Sequence, residues 1–304
     1  MKLKLPYTLR DNQKETIASI RSTIENKNHI VLEAPTGSGK TFTSLAATLP
    51  FVFDKGLKIV YCVRTNSQQK QVVYELEQFK KIGYSIKAVA IQGRDSLCPQ
   101  QKDDEELKKS NWSEKSKICK SLKMQAKIGE AGCPFYRRFL RDTKSLIDEW
   151  STEVLTAQDF SKKAEAAGLC PYELNKLLLK EAQVVIVPYV YFFEEFVRKY
   201  VLGWMGTSID KVITIIDEAH NLPDWSRSAA SASLSIESIK RASNEAKDCG
   251  YLLAEGRDPV QFLNFVEASI EKLAEDHISD EEDEGLLPSH IISPDSEVST
   301  FETE

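Results

Sequence analysis

The sequence predicts an α/β protein with a doubly wound parallel sheet. Short β-branched runs alternate with helical stretches, and each run is nearly continuous in apolar residues, as in strands covered on both faces. The predicted strands are 29–32, 58–63, 86–91, 184–187 and 212–216. The predicted helices are 8–27, 40–48, 66–81, 172–181, 189–200, 232–246 and 258–276. Such alternation places a ligand-binding crevice at the carboxyl ends of the strands.

Length, apolar runs and charge limit the class of protein that this chain can be. The chain has 304 residues, enough for about two domains, and it has 40 Lys and Arg against 46 Asp and Glu. It shows neither a signal peptide nor a membrane-spanning run, so we expect a cytoplasmic protein, or a nuclear one in a eukaryote. Residues 271–304 carry a net charge of −11, which leaves +5 on residues 1–270. The acidic C-terminal segment is predicted to be disordered from 276 onward. Its charge hides the net positive charge of residues 1–270, which would favour binding to a polyanion.

The strongest motif, APTGSGKT, follows the predicted strand 29–32 and begins a helix. Glycines in such a loop let backbone N–H groups point inward at a phosphate chain. Lys40 is expected to reach the β and γ phosphates, and the Thr41 hydroxyl to bind magnesium. The predicted nucleotide-binding residues are Ala34, Pro35, Thr36, Gly37, Ser38, Gly39, Lys40 and Thr41.

A second motif, DEAH, follows the predicted strand 212–216. An acidic pair at the end of a parallel strand faces the same crevice as the phosphate loop. Asp217 is predicted to hold magnesium, and Glu218 to polarise the attacking water. Lys40, Asp217 and Glu218 are therefore the predicted catalytic residues.

Four of the six cysteines cluster in a stretch of about ninety residues without a convincing strand. We predict that 94–172 is an inserted domain. In a chain without an export signal, clustered cysteines favour metal binding over disulfides, and their spacing fits zinc as well as iron. Cys62 and Cys249 lie elsewhere and are predicted bystanders. The predicted ligands are Cys98, Cys119, Cys133 and Cys170, of which all but Cys119 precede a proline.

Two further segments follow predicted strands and offer groups for nucleic acid. VRTNSQ (63–68) supplies a cation and short hydrogen-bonding side chains for a phosphate backbone, although the same segment also reads as a helix cap. PYVYFF (188–193) supplies two tyrosines whose rings are predicted to stack on unpaired bases, while its phenylalanines fit core packing better. The predicted contacts are Arg64, Thr65, Asn66, Ser67, Tyr189 and Tyr191.

APTGSGKT, VRTNSQ and DEAHNLPD together resemble the superfamily 2 DNA helicases. The four cysteines narrow this likeness to the XPD-type branch, with DinG-type helicases as more distant cousins. The resemblance implies a RecA-like lobe, a [4Fe–4S] cluster on the four cysteines and the start of a helical arch domain. It also implies that Arg10 and Gln13 read adenine, that His220 belongs to the nucleotide site, and that Arg94 contacts DNA or the cluster region.

By this likeness the protein is an ATP- and Mg²⁺-dependent 5′→3′ DNA helicase that acts on single-stranded DNA and forks. Nucleotide excision repair is the implied pathway, with other repair proteins as partners. The expected domains are 1–93 (first part of lobe 1), 94–172 (cluster domain), 173–225 (second part of lobe 1) and 226–304 (start of the arch).

No arginine-finger segment of a second motor lobe is recognisable, so we expect that lobe on a missing C-terminal part. The 304 residues alone are then predicted to be inactive or nearly so. The alternatives are a non-catalytic iron–sulfur module that binds ATP and single-stranded DNA, and a zinc-stabilised ATPase.

Overall fold

A computed structural model describes residues 3–103, 112–231, 234–250 and 258–277. The chain forms two compact units, residues 1–220 and 221–304. Among the described helices, none combines the length and apolarity needed to cross a membrane. The disorder predicted for 276–304 concerns residues that, from 278 onward, lie outside the described ranges.

The first unit is built on a parallel sheet, as the alternating pattern predicts. Its strands are β1 (Lys58–Val63), β2 (Ala88–Ala90), β3 (Val184–Pro188) and β4 (Val212–Ile216), in the order β2-β3-β1-β4. Tyr61 in β1 lies opposite Ile186 of β3 on one side and Ile215 of β4 on the other. This confirms the α/β class and four of the five predicted strands.

The helices that flank the sheet present apolar faces with a helical period. They are α1 (Asp11–Glu25), α2 (Lys40–Lys55) and α3 (Asn66–Lys81). Leu45 and Leu49 of α2 and Leu76 and Phe79 of α3 are fully buried in one core with the strands. Truncating any one of these leucines to alanine would cost about 2–5 kcal/mol, so this core sets the position of the strand ends.

The predicted strand at 29–32 does not form in the structure. Val31 is 94% exposed, and its neighbours Ile30 and Leu32 are also exposed. An extended apolar segment becomes a strand only when another strand accepts its hydrogen bonds. In the described sheet β4 is one of the two edge strands, and it does not pair with this segment.

Further helices of the first unit surround the cysteines and follow β3. They are Arg94–Leu97, Gln100–Asp103, Trp112–Lys127, Pro134–Trp150, Ala157–Ala166, Pro171–Leu179, Val190–Phe193 and Glu195–Met205. The helix predicted at 189–200 is thus two helices, because Glu194 between them has an extended backbone.

The part of the second unit that the structure describes is helical, with Leu222–Ala230, Ile236–Cys249 and Pro259–His277. The last two helices pack together. Ser243 hydrogen-bonds Asn264 at 3.2 Å, and Lys240 pairs with Glu267 at 3.2 Å.

Candidate functional site

The phosphate loop precedes α2 and depends on two glycines. Gly37 and Gly39 adopt φ values of 78° and 85°, in the left-handed region that favours glycine. A Cβ atom built on Gly39 would lie only 2.7 Å from the Nε2 atom of Gln13. The loop therefore delivers the first N–H groups of α2 to open space, where an anion would meet the positive end of the helix dipole.

Gln13 on α1 fixes this loop from the side. Its Nε2 donates to the carbonyl oxygen of Ser38 at 2.8 Å, and its Oε1 accepts the backbone N–H of Arg10 at 3.1 Å. Gln13 is buried, whereas Arg10, the N-cap of α1, is exposed. The structure thus places Gln13 beside the loop and Arg10 next to Gln13, while adenine reading by either residue stays a prediction.

The two strongest motifs meet, although they are far apart in the chain. The Nζ atom of Lys40 lies 3.3 Å from Oε1 of Glu218 and 3.3 Å from the carbonyl oxygen of Ala34. His220 contributes its Nδ1, 3.3 Å from the other carboxylate oxygen of Glu218. Asp217 is anchored by its N–H, which donates to the Cys62 carbonyl of β1 at 3.0 Å.

The electrostatics of this edge suit a divalent cation. Burial raises the pKa of the Asp217 carboxyl, and the adjacent Glu218 carboxylate raises it further, while Lys40 opposes both effects. A bound Mg²⁺ would offset this repulsion through the oxygen ligands that it prefers. The Thr41 hydroxyl lies nearby on α2 and interacts with the buried Tyr61 phenol.

Tyr189 does not have the role that the sequence predicts. The residue is 3% exposed, and its hydroxyl donates to the carbonyl oxygens of Asp217 and, at 3.1 Å, Glu218. A buried ring has no free face for a base, so the stacking prediction is wrong for this conformation. Tyr191 is partly exposed and lines a small cleft with Tyr172 and Trp204, so stacking there stays a prediction.

The segment after β1 is a helix cap in the structure. The Thr65 hydroxyl accepts the N–H of Gln68 at 3.3 Å, and the Gln68 side chain accepts the N–H groups of Arg64 and Thr65. Arg64, Asn66 and Ser67 are exposed at the same edge, and Asn66 accepts a hydrogen bond from Gln92. Capping and a phosphate contact are compatible, and only the first is observed.

Three of the four clustered cysteines lie at helix starts. Cys133 and Cys170 are the N-caps of helices whose first residue is proline, and Cys98 precedes Pro99 and a short helix. Cys119 lies within Trp112–Lys127. The backbone N–H groups that donate to the three thiols belong to Gln100 and Gln101 for Cys98, Phe135 and Tyr136 for Cys133, and Glu173 for Cys170.

The fold brings the four thiols close enough to interact. Cys98 interacts electrostatically with Cys119 and Cys133, and Cys170 interacts with Cys133 and Cys98. Burial raises the pKa of the Cys98 and Cys133 thiols, and it raises that of the Cys170 thiol to about 12. In the described ranges, no group of three or more His, Cys, Asp or Glu side chains has the geometry to hold a metal ion.

Two cations face this group of thiols. Arg94 interacts with Cys119 and lies over the Tyr172 ring, 5.3 Å from its centroid. Lys123 also interacts with Cys119, and its Nζ pairs with Glu173 at 2.6 Å. Arg94 therefore lies where the resemblance expects a basic residue, beside the cysteines.

A family model shows to which family this chain belongs. The DEAD_2 model matches residues 61–239, more than half of the chain. The chain belongs to the DEAD_2 family. This family represents the N-terminal region of XPD/DinG-type helicases, which confirms the predicted resemblance.

Proteins similar to this DEAD_2 chain agree with that assignment. A regulator of telomere elongation helicase 1 homolog from Caenorhabditis elegans is 28% identical over 289 residues, which cover 84% of this chain and 28% of that protein. The Arabidopsis thaliana homolog is 27% identical and covers 90% of this chain and 28% of its own length. The chain thus spans just over a quarter of these relatives.

Solved structures place the DEAD_2 chain in the same fold. An XPD helicase aligns with a TM-score of 0.54 and 25% identity over 93% of this chain and 44% of the other. A truncated XPD aligns with a TM-score of 0.51 and 21% identity over 90% of this chain and 68% of the other, which shows fold alone. The predicted XPD-like α/β fold is therefore confirmed, whereas the proposed domain boundaries are untested.

Proposed function

We propose that this chain is the ATP-binding and hydrolysing lobe of an ATP-dependent DNA helicase of the XPD type. The observation that carries the proposal is the contact of 3.3 Å between Lys40 and Glu218, which unites the phosphate loop with the acidic motif. DEAH follows β4 at the carboxyl edge of the parallel sheet, where nucleotides bind in such folds, and Lys40 brings the phosphate loop to the same edge.

Different residues have different roles in the proposed hydrolysis. The loop and the start of α2 bind the phosphate chain, and Lys40 exchanges its contact with Glu218 for the β and γ phosphates. The freed Glu218 carboxylate then orients the attacking water. Thr41 and Asp217 would hold magnesium, which would neutralise charge on the phosphate oxygens.

The nucleic-acid side of the proposal rests on the neighbouring strand ends. Arg64 follows β1 and is exposed, and it can pair with phosphate while Thr65 caps α3. Tyr191 follows β3, and Arg94 follows β2. We infer a path for single-stranded DNA along this edge. Unwinding in the 5′→3′ direction and a role in excision repair rest on the likeness to XPD.

For the cysteines we propose a [4Fe–4S] cluster. Each thiolate of such a cluster binds a different iron, so the four sulfurs need not converge on one point as single-ion ligands do. Backbone N–H groups at three thiols, together with Arg94 and Lys123, offset the negative charge of thiolate ligands. These features make the site chemically suitable for a cluster.

Nucleotide binding tests the first step. Lys40→Ala should weaken MgATP binding by roughly 100-fold, because it removes a charge-assisted contact with the phosphates. Lys199→Ala is the matched control, since Lys199 is exposed and pairs with Glu195. A titration with a fluorescent ATP analogue measures both variants, and unchanged binding in Lys40→Ala would contradict the proposed site.

Hydrolysis tests the second step and separates an enzyme from a binding module. Glu218→Gln should keep MgATP affinity while slowing hydrolysis by about 10²-fold or more, because the amide is a poor base. Single-turnover assays with labelled ATP, with and without single-stranded DNA, measure the rate. Because the 304 residues alone are predicted to be nearly inactive, the non-catalytic module is indicated only if ATP and DNA bind and Glu218-dependent hydrolysis is absent also when a second motor lobe is supplied.

A further inference from the structure

Glu218 has an unusual backbone conformation that the residue type does not explain. Its φ value is 50°, in the left-handed region that is unfavourable for a residue with a side chain. Strained conformations at functional sites persist only when neighbouring groups hold them. The side chain is held by Lys40 and His220, so the question is what holds the peptide.

Tyr189 supplies that contact. Its hydroxyl donates to the Asp217 and Glu218 carbonyl oxygens, which are the peptide oxygens on both sides of the Glu218 Cα atom. A phenol keeps its proton at neutral pH, so this hydroxyl acts as the donor in both contacts.

Tyr189 is itself firmly placed. It follows β3 directly, and its carbonyl oxygen accepts the N–H groups of Phe192 at 3.0 Å and Phe193 at 2.9 Å. Its ring meets the Phe193 ring edge-on, with the centroids 6.0 Å apart. The hydroxyl thus comes from a rigid turn, and it can impose a position on the less regular DEAH segment.

The contact also crosses the sheet. Because β1 lies between β3 and β4, Tyr189 reaches over the end of β1 to touch the segment after β4. Arg64, the first residue after β1, interacts electrostatically with the Tyr189 phenol. One hydroxyl therefore links three neighbouring strand ends.

We propose that Tyr189 is a positioning residue for ATP hydrolysis: its hydroxyl holds the Asp217–Glu218 backbone so that the Glu218 carboxylate faces the attacking water. This role rests on the proposed function. Loss of the Tyr189 hydroxyl should affect the hydrolytic step and not the phosphate loop. The rate of hydrolysis should therefore change while nucleotide affinity does not.

Tyr189→Phe removes the hydroxyl and keeps the ring. At saturating MgATP it should slow hydrolysis roughly 10- to 100-fold, because a small misplacement of a catalytic group has effects of that size. MgATP affinity should stay within about twofold of the parent value. Tyr84→Phe is the matched control, since the Tyr84 hydroxyl also makes a hydrogen bond to the backbone, accepting the Lys4 N–H at 2.6 Å, but belongs to the loop between α3 and β2.

A second measurement keeps the test decisive even if hydrolysis by the 304 residues is too slow to follow. Hydrogen exchange of the amides in 217–221 should be faster in Tyr189→Phe than in the parent chain and in Tyr84→Phe, while β1 and β3 exchange as before. Unchanged exchange at 217–221, or an unchanged rate of a Glu218-dependent hydrolysis, overturns the positioning role. Failure of the proposed function shows separately, as MgATP binding that Lys40→Ala does not weaken.

Discussion

The phosphate loop and the cysteine group both use the start of a helix, but they are assembled differently. The loop is one continuous segment of eight residues at the start of α2. The cysteine group draws on residues from Cys98 to Cys170, with three thiols at different helix starts. Helix starts favour anionic groups in both places, phosphate in one and thiolate in the other.

This difference separates local from long-range determinants of a site. The loop geometry follows from neighbouring residues, since Gly37 and Gly39 supply the left-handed conformations. The cysteine group exists only when several helices pack correctly, so its assembly should be coupled to folding and to metal binding. The two sites should therefore respond differently to single substitutions.

The largest effect is expected at the cysteines. Cys133→Ser should abolish bound iron and sulfide and make 94–172 sensitive to protease, because one lost ligand also removes the link between helices. MgATP binding should survive, since the phosphate loop does not use this segment. Metal analysis, visible absorption and limited proteolysis measure these outcomes.

Cys249→Ser is the control for this substitution, because Cys249 is exposed in the second unit. It should leave iron content and protease resistance as they are. A parent protein with one zinc and no iron would refute the cluster and favour a zinc site.

A smaller effect is expected when the loop is perturbed. Gly37→Ala and Gly39→Ala each impose a left-handed alanine, which costs about 1–2 kcal/mol. Only Gly39→Ala also displaces Gln13, because the new Cβ atom would lie 2.7 Å from the Nε2 atom of Gln13. Gly39→Ala should therefore destabilise the chain more and weaken MgATP binding more than Gly37→Ala.

A double-mutant cycle sharpens this comparison. Adding Gln13→Ala to Gly39→Ala should cost little more, because the hydrogen bond from Gln13 to Ser38 is already broken. The coupling in unfolding free energy is expected to be about 1 kcal/mol. Strictly additive effects would show that Gln13 does not support the loop.

The sequence predicts best where the physical cause is local. Helix 66–81 has the predicted bounds because Thr65 and Gln68 cap it with their own side chains. The segment 29–32 fails because apolar residues make a strand only with a pairing neighbour. Tyr189 is misassigned because the position after a strand indicates the site edge but not which way the ring turns.

In the candidate site, too, the sequence predicts local features better than contacts that depend on the fold. The sequence alone indicates that Lys40 and Glu218 share an edge, since it predicts a strand before each motif, although only the strand before Glu218 forms, as β4. It gives no sign that the Tyr189 hydroxyl supports Glu218, because that contact depends on the strand order β3-β1-β4. Likewise, residue spacing cannot show that Arg94 and Lys123 face Cys119.

The smallest expected effect concerns the core of the lobe that carries the phosphate loop, away from both sites. Glu75 of α3 is 7% exposed, and burial raises the pKa of its carboxyl despite hydrogen bonds from Tyr7 and Gln71. A raised pKa means that the folded state binds the proton more tightly than the unfolded state, so ionised Glu75 destabilises the fold above that pKa. Glu75→Gln should then raise the melting temperature at pH 7.5 by about 2 °C.

This gain should shrink as the pH falls towards the ordinary glutamate value of 4.5, where the parent carboxyl becomes protonated in both states. Glu77→Gln is the control on the same helix, because Glu77 is more exposed and pairs with Lys80 at 2.9 Å, and it should give no gain. Calorimetry at several pH values measures both variants. A gain for Glu75→Gln that did not depend on pH would mean that it comes from packing rather than from the buried charge. Unchanged MgATP affinity in the stabilised variant would show that the stability of this core and the geometry of the phosphate loop can be varied separately.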